Sequence, residues 1–242
     1  LLYYVEVKLK DDKLKQTLAH EGIDMGRKVI YLVRHGHYEV GQFPANPLQL
    51  AGSNRLGGSL TDLGREQAYL AGQRLRQVPI DRIHYSTMKR AAETAEIIAT
   101  EFPGVPLHSS ELLWEFYWKI LTEAIHSLEG ETLAQAKQEK QRIATAFDHY
   151  FIPSPTEAEE QEILVCHGNL ISYFVRRVLQ ISAETALAME AANCGISTVI
   201  VEENARLILV NYNDVGHLPI AKQTFIRYIP VSSAALEISS SS

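Results

Sequence analysis

Two apolar runs in this chain end in the same way, and that limits what it can fold into. The first is Val29 to Tyr38, reading VIYLVRHGHY; the second is Glu162 to Gly168, reading EILVCHG. Each opens on β-branched and other apolar residues with almost no charge, as a strand buried on both faces of a parallel sheet does. Each then stops at a histidine followed by a glycine. Ligands of open α/β sheets bind just outside the carboxyl ends of the strands, so chemistry-bearing side chains stand where a ligand belongs. A glycine there lets the backbone turn sharply and approach a ligand closely. Taken alone, Arg34-His35-Gly36 is also what an ordinary solvated corner looks like, and it acquires meaning from its partners.

The remaining elements alternate. Thr61 is placed to cap a helix running to Gln77, with apolar positions at Leu63, Leu70, Ala71 and Leu75. Asp81 to Tyr85 reads as a short strand, and Ser86 begins a helix reaching about Glu101, so that Arg90 falls in a first turn beside backbone N–H groups that favour anions. Leu107 to Glu115 contains a short extended piece ending in LLWE. A polar helix spans Glu131 to Tyr150, and another runs from Asn169 to Gln180. Ile196 to Val201 and Arg206 to Tyr212 form a hairpin around Glu203-Asn204. Strands alternating with helices point to one α/β domain over 29–230, a three-layer sandwich with a mainly parallel central sheet and helices on both faces. An N-terminal arm, 1–28, has no readable role, and 231–242 is a tail. The Gly-, Pro- and Asn-rich stretch Glu39 to Ser59 directly follows the Arg-His-Gly corner, which suits a substrate-facing loop.

Composition narrows the partners. At 242 residues and 46% hydrophobic the chain has material for a full core. A net charge of −6 with no basic stripe argues against nucleic acid, and no apolar run approaches membrane-spanning length. An oligomer stays open. Cys166 and Cys194 lack the CxxC spacing of a zinc or redox site and read as small buried residues. That usage suits a reducing compartment, and the expected placement is cytoplasmic. The chain begins at Leu1, which leaves room for an upstream targeting segment, and no secretory signal is visible. An acidic protein that binds an anion must concentrate positive charge locally. Arg34, His35, Arg90 and His167 all fall at strand ends or helix starts and would together form a compact cationic pocket. Its natural guest is a phosphoryl group, whose oxygens the guanidinium fork matches.

The segments LVRHG, SLTDLGREQA, YSTMKRAAETA, LLWE, CHGNLI and NDVGHL, in that order over about Val29 to Pro219, resemble the histidine phosphatase superfamily, with its phosphoglycerate-mutase-like fold. The short spacing from LLWE to CHGN and the Gly130-Glu131-Thr132 helix start look like the phosphatase branch. The RHG-x-Tyr start and CHGNLISY look most similar to the mitochondrial phosphoglycerate-mutase-like protein phosphatases. The resemblance implies a metal-independent, cofactor-free phosphatase acting on a phosphorylated small molecule or protein. It gives His35 the role of nucleophile, forming a phosphohistidine, and has Arg34, Arg90 and His167 hold the phosphoryl oxygens. Gly168 and Asn169 add backbone donors, and Glu115, chosen over Glu111, serves as general acid and then base. Tyr38 and Glu39 depart from the Ser or Thr and the Asn that many members carry near there. His37 is a candidate substrate contact, and Trp114 and Trp118 are candidates to line the mouth. His20, His84, His108, His126 and His149 read as surface or packing residues, and His217 as a structural contact behind the site. Three alternatives stay open: mutase-type phosphoryl transfer, a non-catalytic binder of phosphorylated ligands, and a metal-dependent hydrolase built on His35, His37, His167 and Asp214.

Overall fold

In the computed structural model, residues 25–39, 58–121, 128–186 and 188–225 are described. Six strands form one sheet: β1 (Lys28–Arg34), β2 (Arg82–Ser86), β3 (Leu107–Ser110), β4 (Glu160–Cys166), β5 (Ile196–Val201) and β6 (Leu207–Asp214). Their spatial order is β3-β2-β4-β1-β5-β6. The pairs β3/β2, β2/β4 and β4/β1 are parallel, while β5 runs antiparallel to both β1 and β6. The expected hairpin therefore adds one reversed strand to an otherwise parallel sheet. The main helices are α1 (Asp62–Leu75), α2 (Lys89–Ala99), α3 (Gly130–Tyr150) and α4 (Gly168–Leu179).

Alternation along the central strands sends side chains to opposite faces. Ile30 and Leu32 of β1 join Leu164 and Cys166 of β4 under α3 and α4, with Phe147, Phe151, Leu170 and Phe174. Val33 joins Ile163 and Val165 under α1 and α2, with Ala68, Ala71, Ala91, Ala95 and Ile98. Helices thus cover both faces of the sheet. Each fully buried Leu, Ile or Phe contributes about 1.5–3 kcal/mol, and the run of such residues on both faces is what makes β1 and β4 the rigid centre. Among the described residues no helix is long and apolar enough to cross a membrane.

Element ends differ from the sequence reading in instructive ways. Both central strands start earlier than Val29 and Glu162, because buried charges pair there. Lys28 Nζ lies 3.4 Å from Glu162 and 3.8 Å from Glu160, and Arg82 reaches both carboxylates at 3.3 and 3.1 Å. Ahead of β1, Gly26 forms an isolated bridge with Ser154. Helix α2 starts at Lys89 rather than Ser86, since Ser86 closes β2 and its Oγ accepts the Met88 N–H at 3.3 Å. Thr61 caps α1 as expected, its side chain accepting the Gly64 N–H. The base of the loop after β1 is pinned by a Tyr38/Leu60 bridge and by the Glu39 N–H on the Ser59 carbonyl. Residues 40–57 of that loop, most of the N-terminal arm and the tail lie outside the described residues, as do His20, His126 and the side chain of Trp118.

Candidate active site

The carboxyl ends of β1 and β4 sit side by side, with Arg34 paired to Cys166 in parallel register. The residues after them, His35 and His167, therefore leave the sheet together. Their rings lie 5.1 Å apart, centroid to centroid. Arg90, in the first turn of α2, enters between them. Its Nε donates to His35 Nε2 at 3.0 Å, and one terminal nitrogen lies 3.0 Å from His167 Nδ1. Four residues placed by sequence, Arg34, His35, Arg90 and His167, are thus brought to one point, each at most 6% exposed.

The tautomers follow from what each ring nitrogen meets. His35 Nδ1 lies 2.8 Å from the Gly36 carbonyl, which can only accept, so Nδ1 carries the proton and Nε2 keeps the lone pair. His167 Nε2 is 2.9 Å from Ser86 Oγ, while its Nδ1 faces a guanidinium that can only donate. Burial, then the neighbouring Arg90 and Arg34 charges, hold both imidazoles well below the usual histidine range, so both are neutral near pH 7.

Arg34 donates from one terminal nitrogen to the Ala191 carbonyl at 2.5 Å, while its buried Nε has no hydrogen-bond partner among the described residues. Buried N–H groups left over in this way are rare and call for an explanation. Gly168 opens α4 close against it: a β-carbon there would sit 3.4 Å from that Nε. A small cleft is lined by Arg34, Gly168, Asn169, Ser172, Met189, Glu190 and Ala191.

Glu115 follows the 3-10 turn Glu111–Leu113, which redirects the chain after β3. Its Oε1 accepts the Phe116 N–H at 3.1 Å and its Oε2 the Asn169 N–H at 3.4 Å. Removal from water pushes its carboxyl above the ordinary carboxylate range, against the opposing pull of Arg90 and these two N–H groups. Glu111 is exposed on the turn. Trp114 is part-buried and its indole donates to Thr87 Oγ1. The LLWE motif thereby delivers Glu115, and not Glu111, to the mouth of the pocket.

His37 goes elsewhere. Its Nδ1 pairs with Thr61 Oγ1 at 2.9 Å, which turns the ring onto the cap of α1. The metal-ligand set His35, His37, His167 and Asp214 is not assembled, since Asp214 is paired with Arg74 at 3.4 Å. No group of three His, Cys, Asp or Glu suited to a metal occurs among the described residues. His217 bonds the Cys194 carbonyl, and the Cys194 N–H bonds the Arg34 carbonyl, a structural contact behind the strand end. His84, His108 and His149 gather at the far end of the sheet around Tyr150 and the Lys28 ion pairs.

Sequence reasoning missed several neighbours. Tyr38, given no role in the site by the sequence, places its ring edge-on to His35 and under the Arg90 guanidinium, 4.7 Å from its carbon. Asn193 donates to the His35 carbonyl, and Thr94 accepts the Gly36 N–H. Ser86 holds His167 from behind. The one available signal was the place of Ser86 at the carboxyl end of a strand next to β4.

Known proteins were compared with the chain. Residues 30–160 match the histidine phosphatase superfamily (branch 1). The rat serine/threonine-protein phosphatase PGAM5, mitochondrial (Rattus norvegicus), is 33% identical over 232 residues, 90% of this chain and 73% of that protein. The human protein of the same name (Homo sapiens) is 33% identical over 228 residues, 88% of this chain and 71% of that one. Among solved structures, phosphoglycerate mutase from Plasmodium falciparum superposes with a TM-score of 0.53 at 28% identity, over 80% of this chain and 95% of that one. These relatives correct one expectation. Cytoplasmic placement rested on cysteine usage and the lack of a secretory signal, yet the similar proteins are named mitochondrial. Two buried thiols report only that nothing oxidises them, and targeting information does not reside in a domain's core. The order of motifs, the sheet with helices on both faces and these matches agree: the chain is an enzyme of the histidine phosphatase superfamily, with the phosphoglycerate-mutase-like fold.

Proposed function

We propose that this enzyme hydrolyses phosphomonoesters without a metal ion, through a phosphohistidine on His35, and that its substrates are phosphoserine or phosphothreonine side chains of proteins. The observation that carries this reading is the Arg90 guanidinium bridging His35 Nε2 and His167 Nδ1, both at 3.0 Å. It sets a nucleophile's lone pair beside two fixed cations at a point buried from water. The substrate class rests on the names of the mitochondrial relatives, and mitochondrial placement is proposed on the same ground.

Phosphoryl transfer needs positioning and charge neutralisation above all. His35 Nε2 attacks phosphorus in line, and the phosphorus–oxygen bond to the serine or threonine breaks. Arg90, the spare Nε–H of Arg34 and the first amides of α4 take the equatorial oxygens. His167 is neutral among guanidiniums; an incoming phosphate dianion acts in the opposite direction, and a proton taken up from solvent as the dianion binds makes Nδ1 a donor. Glu115, whose carboxyl holds its proton more tightly because burial raises its pKa, gives that proton to the leaving oxygen. The resulting carboxylate then takes a proton from water, whose oxygen attacks phosphorus and breaks the phosphorus–nitrogen bond. Inorganic phosphate and neutral His35 result.

Phosphate release from a phosphoserine or phosphothreonine peptide, measured beside 3-phosphoglycerate and a His35→Ala control, tests the proposal. Release from the peptide by wild type alone supports it. Isomerisation of phosphoglycerate without net release would favour the mutase reading instead.

A further inference from the structure

We infer that Gln67 is a positioning residue that fixes the tautomer of the nucleophile, and that the segment Lys222 to Thr224 holds Gln67 in the one orientation that does so. The inference rests on the reading of His35 as nucleophile, and it turns on one peptide unit. The Gly36 carbonyl accepts the proton of His35 Nδ1 at 2.8 Å, and the other end of that same unit, the His37 N–H, donates to Gln67 Oε1 at 2.8 Å. If the Gly36–His37 peptide turned over, an N–H would face His35 Nδ1. The proton would then be drawn to Nε2, against the Arg90 Nε–H that donates there, and the lone pair that attacks phosphorus would be gone. Glycine itself dictates no orientation for the peptide that follows it, so the surroundings have to impose it.

Gln67 imposes it from α1, where it is fully buried. A glutamine amide can itself be reversed, and its neighbours forbid that. Its Nε2 meets the Lys222 carbonyl at 2.6 Å, which can only accept, and Thr224 Oγ1 at 2.9 Å. The His37 N–H can only donate, so oxygen must face His37 and nitrogen must face Lys222. The Thr224 hydroxyl in turn donates to Asn193 Oδ1 at 2.9 Å, and Asn193 Nδ2 donates to the His35 carbonyl at 2.9 Å. The Asn193 N–H closes the circuit on the Thr224 carbonyl. Residues 222–224 therefore grip the nucleophile's turn from both sides, through groups that touch no reacting atom.

The experiment uses Gln67→Met, similar in size and unable to accept from His37, with Thr224→Val and Thr224→Ser. Imidazole nitrogen NMR on histidine-labelled protein reads the His35 tautomer; turnover of a phosphoserine peptide and inhibition by inorganic phosphate read function. Wild type should show the proton on Nδ1. In Gln67→Met that signal should give way to an exchanging mixture, with kcat lower by about tenfold or more, as expected when a catalytic histidine loses its tautomer. Because the groups that hold phosphate are untouched, the inhibition constant of phosphate should change by less than about twofold. Thr224→Val should lose part of kcat in the same way and Thr224→Ser should recover it. If Gln67→Met does not fold, the Thr224 pair decides. Wild-type kcat in Gln67→Met and Thr224→Val, or an unchanged His35 tautomer in them, would overturn the inference. Absence of a phosphohistidine in wild type would instead remove the nucleophile reading and leave the tautomer result standing.

Discussion

Glu115 Oε2 lies 3.4 Å from the backbone N–H of Asn169, 54 residues away in sequence, at the first turn of the helix that follows β4. This contact ties the residue assigned as acid to the corner that carries His167. Replacing the carboxyl by an amide keeps the shape and removes the transferable proton. Glu115→Gln should therefore lower kcat on an alkyl ester such as phosphoserine by about 10²-fold or more. It should cost much less on p-nitrophenyl phosphate, whose leaving group needs no proton. Equal losses on both substrates, measured side by side, would remove Glu115 from the acid's role.

The pH profile follows from shifts of opposite sign. His35 must be neutral, and its pKa is pushed below the ordinary histidine range, so the acid limb of kcat/KM should lie well under pH 6.5. Glu115 must be protonated, and its pKa is raised above the ordinary 4.5, so activity should fall on the alkaline side as it ionises. A bell-shaped profile should result, and Glu115→Gln should lose its alkaline limb. Stability obeys the same signs. The depressed imidazoles contribute stability above pH 6.5 that is lost as pH falls toward their folded values. The raised carboxyl contributes below pH 4.5 and loses its contribution as pH climbs through its folded value. Glu115→Gln should thus raise Tm at pH 7, which calorimetry would show; a lower Tm would contradict the assigned shift.

Arg142 of α3 staples the acid's loop. It donates to the carbonyls of Leu112 at 2.7 Å, Glu111 at 3.4 Å and Glu115 at 3.5 Å, and pairs with Glu139 at 2.9 Å. Arg142→Met should cost about 1.5–3 kcal/mol in urea unfolding, the range for hydrogen bonds made by a charged group. It should also depress phosphoserine turnover more than p-nitrophenyl phosphate turnover, since the loop carries the acid. A loss that ignores the leaving group would mean that the staple serves stability alone.

The turn after β1 is packed against α1 with no space to spare. A β-carbon at Gly64 would meet the His37 carbonyl at 1.9 Å, and one at Gly36 would meet the Gly64 carbonyl at 2.5 Å. Gly64→Ala must push the nucleophile's turn away. It should destabilise by about 1–3 kcal/mol and reduce kcat, as read by denaturation and steady-state kinetics. Near-wild-type values in both would show that the turn yields more easily than its contacts imply.

At the far end of the sheet, Glu162 is 2% exposed between Lys28, Arg82 and His84. Glu162→Leu leaves Lys28, 5% exposed, without one of its two carboxylates. It should cost about 3–5 kcal/mol of unfolding free energy, with kcat of the folded fraction unchanged, because the strand's opposite end carries the chemistry.

How far the sequence could be read follows from where the information sits. The strands β1 and β4 were legible because an apolar run ending in a charged or polar corner is a local pattern, and Arg90 because it lies in the first turn of a helix with a clear period. Glu115 is preferred to Glu111 in the sequence through its place after LLW in the resemblance; the 3-10 turn that puts one at the pocket and the other in solvent leaves no local pattern of its own. The apolar pattern does not reach Lys28 or Glu160; their burial follows from ion pairs across the sheet, which no local pattern encodes. Gln67, Asn193 and Thr224 gave no signal at all. Their meaning lies in hydrogen bonds that span between 30 and 158 residues of chain, and no local pattern encodes such a bond.

The most direct measurement is to react the enzyme briefly with a substrate labelled in its phosphoryl group, quench, and locate the label. The expected result is an acid-labile, base-stable phosphate on His35 in wild type and none in His35→Ala, which should stay folded and turn over no substrate. Label on another residue, or turnover retained by His35→Ala, would contradict the account.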